Sequence, residues 1–199
     1  MARLGFGSGK LRDPRLPPGQ YDTGSSFPVL TAEVSPNLTA ENWSFRVDGL
    51  VREARTWDWD AAHKLESSAY EGDIHCVTSW SKLGTSFAGV SLDTFLDAAG
   101  VLPEATHVVA WSHTGYTTNL PLAEITGGRA WLVWEHEGKP LPHEHGGPVR
   151  MLVPRLYFWK STKWIGGIRL LDHDEPGFWE TRGYHDLGDP WLEQRYSGD

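Results

Sequence analysis

The spacing of apolar and polar positions changes period several times along the chain. Residues 68–77 alternate, with Tyr70, Gly72 and Ile74 set against Ala69, Glu71 and Asp73, as successive side chains of a strand do. A second alternation over 42–51, Trp43, Phe45 and Val47 against Ser44, Arg46 and Asp48, predicts a strand leading into an Asp48-Gly49 turn and a return strand at about 50–57. Ala61, Ala62 and Leu65 recur at helical spacing and predict a short helix over 58–65. The clearest helix spans 90–100. Leu92, Phe95, Leu96 and Ala99 form its apolar face, Ser91 can cap its start, and Gly100 can end it with Pro103 just beyond. Apolar runs predict strands over 107–111, 129–134, 149–153 and 164–171, with one helical turn over 120–124. The stretches 78–89 and 135–148 are polar, Gly-containing loops; 112–119 is a polar loop or hairpin, and 172–199 a tail that wraps the surface.

Eight or nine short strands with two or three short helices make an α+β domain dominated by β-structure. At 199 residues the chain can bury a real core. We read one domain over 29–199, preceded by an extended arm over 1–28 that is rich in Gly, Pro, Ser and charge. The 22 glycines and 13 prolines suit short strands joined by shaped loops. A net charge of −8 argues against a nucleic-acid or anionic-membrane binder. No apolar run approaches the ~18 residues that a membrane span needs. Met1–Lys10 carries basic residues without an apolar core and no twin-arginine pair, so the expected location is the cytoplasm.

Three stretches hold candidate chemistry. The first is Asp73-Ile-His-Cys-Val-Thr-Ser-Trp-Ser81, around the chain's one cysteine, Cys76. With no internal disulfide open to it, Cys76 is either a small buried apolar group or a thiolate with a task at the mouth of a loop. A thiolate is a soft ligand for a transition metal. Use as a nucleophile with His75 as base is disfavoured, because neighbours on a strand point to opposite faces. The second is His143-Glu-His-Gly-Gly-Pro-Val-Arg150. Its HxH is a weak zinc signature without CxxC or HExxH, its glycine pair permits close backbone approach to a ligand, and a flexible loop with a surface arginine is the plain alternative. The third is Arg155-Leu-Tyr-Phe-Trp-Lys-Ser-Thr-Lys163. Lys160, Ser161 and Lys163 either hold a phosphate or snorkel over an aromatic core.

Taken in order, His75-Cys-Val-Thr-Ser-Trp-Ser81, His145-Gly-Gly-Pro-Val-Arg150 and Val153-Pro-Arg-Leu-Tyr-Phe-Trp-Lys-Ser-Thr-Lys-Trp164 resemble the molybdopterin-binding domain of the sulfite oxidase superfamily. The likeness covers about residues 28–190. It is strongest to the bacterial single-domain branch that includes the methionine-sulfoxide reductase catalytic subunit. The resemblance implies a β-rich sulfite-oxidase-type fold and a molybdenum-molybdopterin cofactor. It makes Cys76 the thiolate ligand of the metal, with the pterin dithiolene adding two more sulfurs. His145 and Arg150 then contact the pterin, and Lys160, Ser161 and Lys163 hold its phosphate and neighbouring atoms. Val29–Thr31 is a further contact, and Ser112 or His113 falls where the family brings another pocket residue. By sequence proximity, His75, Trp80, His113, Tyr157 and Trp159 are expected to line the reaction pocket, His75 and His113 as catalytic residues. The implied activity is transfer of an oxygen atom to or from a small sulfoxide, N-oxide or sulfite-like substrate. Sulfite itself is disfavoured, because only Lys82 is basic near Cys76. With a single cysteine there is no CxxCH haem motif, so a separate electron-transfer partner is implied, a haem, flavin or quinone-linked protein. The alternative functions are a non-catalytic molybdopterin carrier and a sugar-binding domain that uses the 11 tryptophans for stacking.

Overall fold

The computed structural model describes residues 13–199; the first twelve residues of the arm, and with them the whole Met1–Lys10 stretch, lie outside this range. Among the described residues the strands are β1 (Tyr21–Asp22), β2 (Ser44–Gly49), β3 (Arg55–Asp58), β4 (Ser68–His75), β5 (Trp80–Ser91), β6 (His107–Ser112), β7 (Thr117–Pro121), β8 (Trp131–His136), β9 (Lys139–Pro140), β10 (Arg150–Leu152) and β11 (Ile165–Leu171). Two α-helices, α1 (Trp59–His63) and α2 (Leu92–Ala99), fall between them. One sheet runs β1-β5-β8-β10, with β4 also on β5 and β9 on β8. The other runs β3-β2-β11-β6-β7. Most pairs are antiparallel, but β11 lies parallel to β2 and β1 parallel to β5. No helix among the described residues is long and apolar enough to cross a membrane.

Helix α2 forms where its pattern predicts. Ser91 accepts from the Asp93 N–H, and Gly100 closes the helix at φ 70°. Its buried face, Leu92, Phe95, Leu96 and Ala99, enters the main core, where Phe95 meets Phe45 and Trp57 edge to face at 5.2 and 5.0 Å. A smaller apolar cluster of Ile74, Cys76, Trp80, Phe87, Val133, Leu141 and Leu152 lies on the first sheet. Cys76 is therefore set in apolar surroundings beside the main core.

The largest difference from the sequence expectation is the stretch 78–89. It is a three-residue turn, Val77-Thr78-Ser79, followed by the longest strand of the chain. Its polar residues are buried with partners: Ser81 Oγ bonds His75 Nδ1 at 2.8 Å, and Thr85 Oγ1 bonds His136 Nε2 at 2.9 Å. A Cβ on Gly89 would stand 1.9 Å from the Leu132 carbonyl oxygen, so that glycine serves sheet contact with β8. The predicted return strand at 50–57 is reduced to β3, with Val51 making only an isolated bridge to Val101.

The tail over 172–199 packs on the domain, and Lys160 anchors it. The ammonium group, fully buried, donates to Glu180 Oε1 and the Asp186 carbonyl at 2.6 Å, and to the Asn119 carbonyl and Oδ1 at 2.8 and 2.9 Å. Glu180 Oε1 also accepts from Thr118 Oγ1 and Trp159 Nε1. In the structure Lys160, expected to hold a phosphate, has four acceptors around its three N–H groups and lies outside the cavity described below. Lys160→Met should leave the Glu180 carboxylate buried and uncompensated. Unfolding in urea is expected to show a loss of about 3–5 kcal/mol.

Candidate functional site

The turn after β4 presents the thiol. The Cys76 N–H bonds the Trp80 carbonyl at 2.8 Å, and the Ser79 N–H bonds the Cys76 carbonyl at 3.0 Å, with Ser79 in the left-handed region at φ 72°. The Cys76 Sγ lies 3.2 Å from Thr78 Oγ1. Burial pushes the thiol pKa up, and the Thr78 hydrogen bond partly offsets this.

Cys76 lines a cavity of about 300 Å³ together with Val77, Thr78 and Trp80. His145, Arg150, Ser161 and Lys163 line the same cavity, so the three candidate stretches converge on one space. Glycine makes the approach possible. A Cβ on Gly146, at φ 103°, would meet the Lys163 Cα at 2.9 Å, and one on Gly147 would meet the Leu141 carbonyl oxygen at 2.2 Å. The close contacts these glycines allow are with the protein's own backbone.

Arg150 is the electrostatic centre of this space. Fully buried, its guanidinium donates to the carbonyls of His145 at 2.8 Å and Ser161 at 2.7 Å, and stands 3.9 Å from the Phe158 ring centroid. Among the described residues no carboxylate lies within ion-pair distance of it, and burial lowers its pKa to about 9. Lys163 is similar: its Nζ donates to the Glu144 carbonyl at 2.6 Å without an ion pair, and burial, then Arg150, brings its pKa down to about 8. His145, pushed down to about 4 by burial and by these two cations, stays neutral at physiological pH and stacks on the Phe27 ring at 3.7 Å. Ser161 Oγ accepts from the Val153 N–H at 2.9 Å, which leaves its own proton to donate.

Other expected positions fall outside this lining. The His75 ring points away from Cys76 to Ser81, following the strand alternation, and the His113 ring bonds the Ser44 carbonyl at 2.9 Å on an exposed edge. Neither ring lines this cavity. Tyr157 is buried against Trp159 instead of lining the space, whereas Trp80, Trp159 and Thr31 do line it. The cavity also takes Glu33, Tyr116, Trp179 and Tyr184. Glu33 accepts from Ser112 Oγ, and its carboxyl pKa is raised by burial. Nothing local marks Glu33, Trp179 or Tyr184 in the sequence; only the folded tail and the segment that follows the arm bring them in.

A molybdopterin cofactor can be tested against these donors. A buried guanidinium and a half-buried ammonium, neither directly ion-paired among the described residues, suit a phosphate, and the lone thiol suits a soft metal. The Trp80 Nε1 is buried without a hydrogen-bond partner, in a side chain that belongs to the cavity lining. The residues fit the group.

Comparison with known proteins agrees. The profile of the oxidoreductase molybdopterin binding domain matches residues 32–179. The chain is 41% identical over 186 residues to the uncharacterized oxidoreductase YuiH of Bacillus subtilis, covering 93% of each chain. It is 32% identical over 192 residues to the protein-methionine-sulfoxide reductase catalytic subunit MsrP of Gluconobacter oxydans, covering 85% of this chain but 59% of that one. The sulfane dehydrogenase SoxCD of Paracoccus pantotrophus superposes with a TM-score of 0.65 at 18% identity, over 70% of this chain and 41% of that chain, and so shares the fold. With the profile spanning most of its length and YuiH aligned nearly end to end, this chain belongs to the molybdopterin-binding oxidoreductases of the sulfite oxidase family.

Proposed function

We propose that the protein holds molybdenum through the Cys76 thiolate and moves an oxygen atom to or from a small substrate, a sulfoxide or N-oxide before sulfite. The observation that carries this reading is the convergence of one buried thiol, the buried Arg150 guanidinium and the half-buried Lys163, neither cation in a direct ion pair among the described residues, on a single cavity. Among the described residues no three of His, Cys, Asp and Glu gather as a metal cluster, which favours a metal that brings most of its ligands with its cofactor. Bound there, the cofactor would supply the two-electron chemistry, and the chain's share is to bind, orient and exclude water. Arg150, Lys163 and the Ser161 hydroxyl would hold the phosphate end, and neutral His145 would offer hydrogen bonds to the pterin. Trp159, Trp179 and Tyr184 give the rest of the lining an apolar character that favours an uncharged substrate. Reduction of a sulfoxide consumes two electrons and two protons and releases water. Glu33, a carboxyl held partly buried in that lining, is suited to handing on a proton. The electrons would come from a separate haem, flavin or quinone-linked protein. The free thiol favours the cytoplasm.

Cys76→Ser should keep the fold and the pterin but abolish turnover with an artificial electron donor on a panel of sulfoxides, N-oxides and sulfite. Full activity in that variant would overturn the assignment. Absence of molybdenum cycling in the wild type would leave the carrier reading.

Lys163→Met should weaken binding of metal-free molybdopterin about tenfold or more, given ~1.5–3 kcal/mol for a charged hydrogen bond. In the wild type that binding should decline as pH rises through about 8, where the free Lys163 loses its proton. Fluorescence titration of the pterin from pH 7 to pH 9.5 checks both.

A further inference from the structure

The Cys76 turn is gripped from outside the cavity by both ends of the described chain. From the N-terminal side, the buried Gln20 donates its Nε2–H to the Cys76 carbonyl at 3.0 Å. From the C-terminal side, Arg195 Nη1 donates to the Val77 carbonyl, 118 residues away in sequence. Ser79 within this turn holds a left-handed backbone, which surrounding contacts have to maintain.

Arg195 is itself well anchored. Its N–H bonds the Glu193 carbonyl at 2.7 Å and Asp199 Oδ2 at 2.9 Å, and its carbonyl accepts from the His185 N–H at 3.2 Å. Its guanidinium lies 5.2 Å from the Tyr157 ring centroid. Among the described residues its guanidinium makes no direct ion pair, although the Asp199 carboxylate, which accepts the Arg195 N–H, lies close enough to feel its charge. The guanidinium also lies close enough for that charge to act on the Cys76 sulfur. A fixed cation next to the backbone that bears a metal thiolate stabilises the more electron-rich state of the site, since net charge and hydrogen bonding around a ligating sulfur set its potential.

We infer that Arg195 is a positioning residue for the metal site: it clamps the Cys76 turn through Val77 and sets the reduction potential of the metal by its charge. The inference rests on the reading of Cys76 as the metal ligand. It gives the C-terminal tail a part in the chemistry that no cavity-lining residue reveals. It also supplies a cation close to the ligand cysteine that is absent from the local sequence around Cys76.

The test compares the molybdenum-loaded wild type with Arg195→Gln, Arg195→Lys and Cys76→Ser, using redox titration followed by electron paramagnetic resonance. Arg195→Gln keeps a donor for the Val77 carbonyl and removes the charge. It should shift the one-electron equilibrium toward the oxidised state about tenfold, a fall of ~59 mV. Arg195→Lys keeps the charge and should stay within about threefold of the wild type; because it preserves a cation on an otherwise intact tail, it reads the effect even where Gln loosens the fold. A wild-type equilibrium in Arg195→Gln, or an equal fall in Arg195→Lys, overturns the inference. The Cys76→Ser arm tests the underlying reading separately: an unchanged resonance signal in that variant would remove Cys76 as the ligand, whatever Arg195 does.

Discussion

The short turn between β4 and β5 is the constraint from which the site follows. Its backbone bonds fix the Cys76 carbonyl and N–H inward, toward Ser79 and Trp80, and so fix where the side chain can point. The alternation of β4 then sends His75 to the other face, where Ser81 takes it up. The same alternation sets Cys76 among Ile74, Trp80 and Phe87. An apolar setting leaves the sulfur a neutral thiol when free and a strong soft donor once a metal displaces the proton.

Around that turn the fold gathers positive charge without pairing it directly, with Glu33 the one carboxyl in the same lining. Burying a guanidinium costs several kcal/mol unless the site returns the loss, and carbonyl oxygens and a ring face return only part of it. Arg150 has those partners and no carboxylate, with Lys163 close behind it in the same space. An overall charge of −8 makes the local imbalance more telling, since acidic residues are plentiful elsewhere. A stable fold tolerates such a deficit where a bound anion completes it. Lys160, three residues from Lys163, shows the opposite solution: its charge is met by Glu180 and three further acceptors, and nothing remains for a ligand.

Much of this was legible in the sequence. Helix α2 followed from its apolar spacing and its two caps, and β2, β4, β6 and β11 from alternation or apolar runs. The convergence of Cys76, His145, Arg150, Ser161 and Lys163 followed from three ordered motifs. Strand β5 was missed because its buried Ser81, Lys82 and Thr85 look like loop residues until their partners are known, and because Gly89 gives no sign of the Leu132 backbone pressed against it. The choice between Lys160 and Lys163 was not legible either. It depends on Asn119 and Glu180, which lie 41 and 20 residues away from Lys160. Of the pair Ser112 and His113, it is Ser112, at the end of β6, that bonds the cavity's Glu33, while the His113 ring turns to the Ser44 carbonyl.

The tail shows most clearly how sequence distance hides function here. Read alone, residues 172–199 are a polar and aromatic wrap with no motif. Folded, they close the Lys160 charge through Glu180, give Trp179 and Tyr184 to the cavity, and set Arg195 against the Val77 carbonyl. Each contribution uses a different physical means: an ion pair in a dry interior, apolar surface, and a directed cation. What joins them is that the Lys160 anchor is made inside the same 158–163 stretch that supplies Ser161 and Lys163. The segment that shapes the anion end of the cavity thereby also determines where the tail lies, and with it the position of Arg195. The tail thus reaches the far side of the Cys76 turn because the 158–163 segment, through Lys160, holds its start.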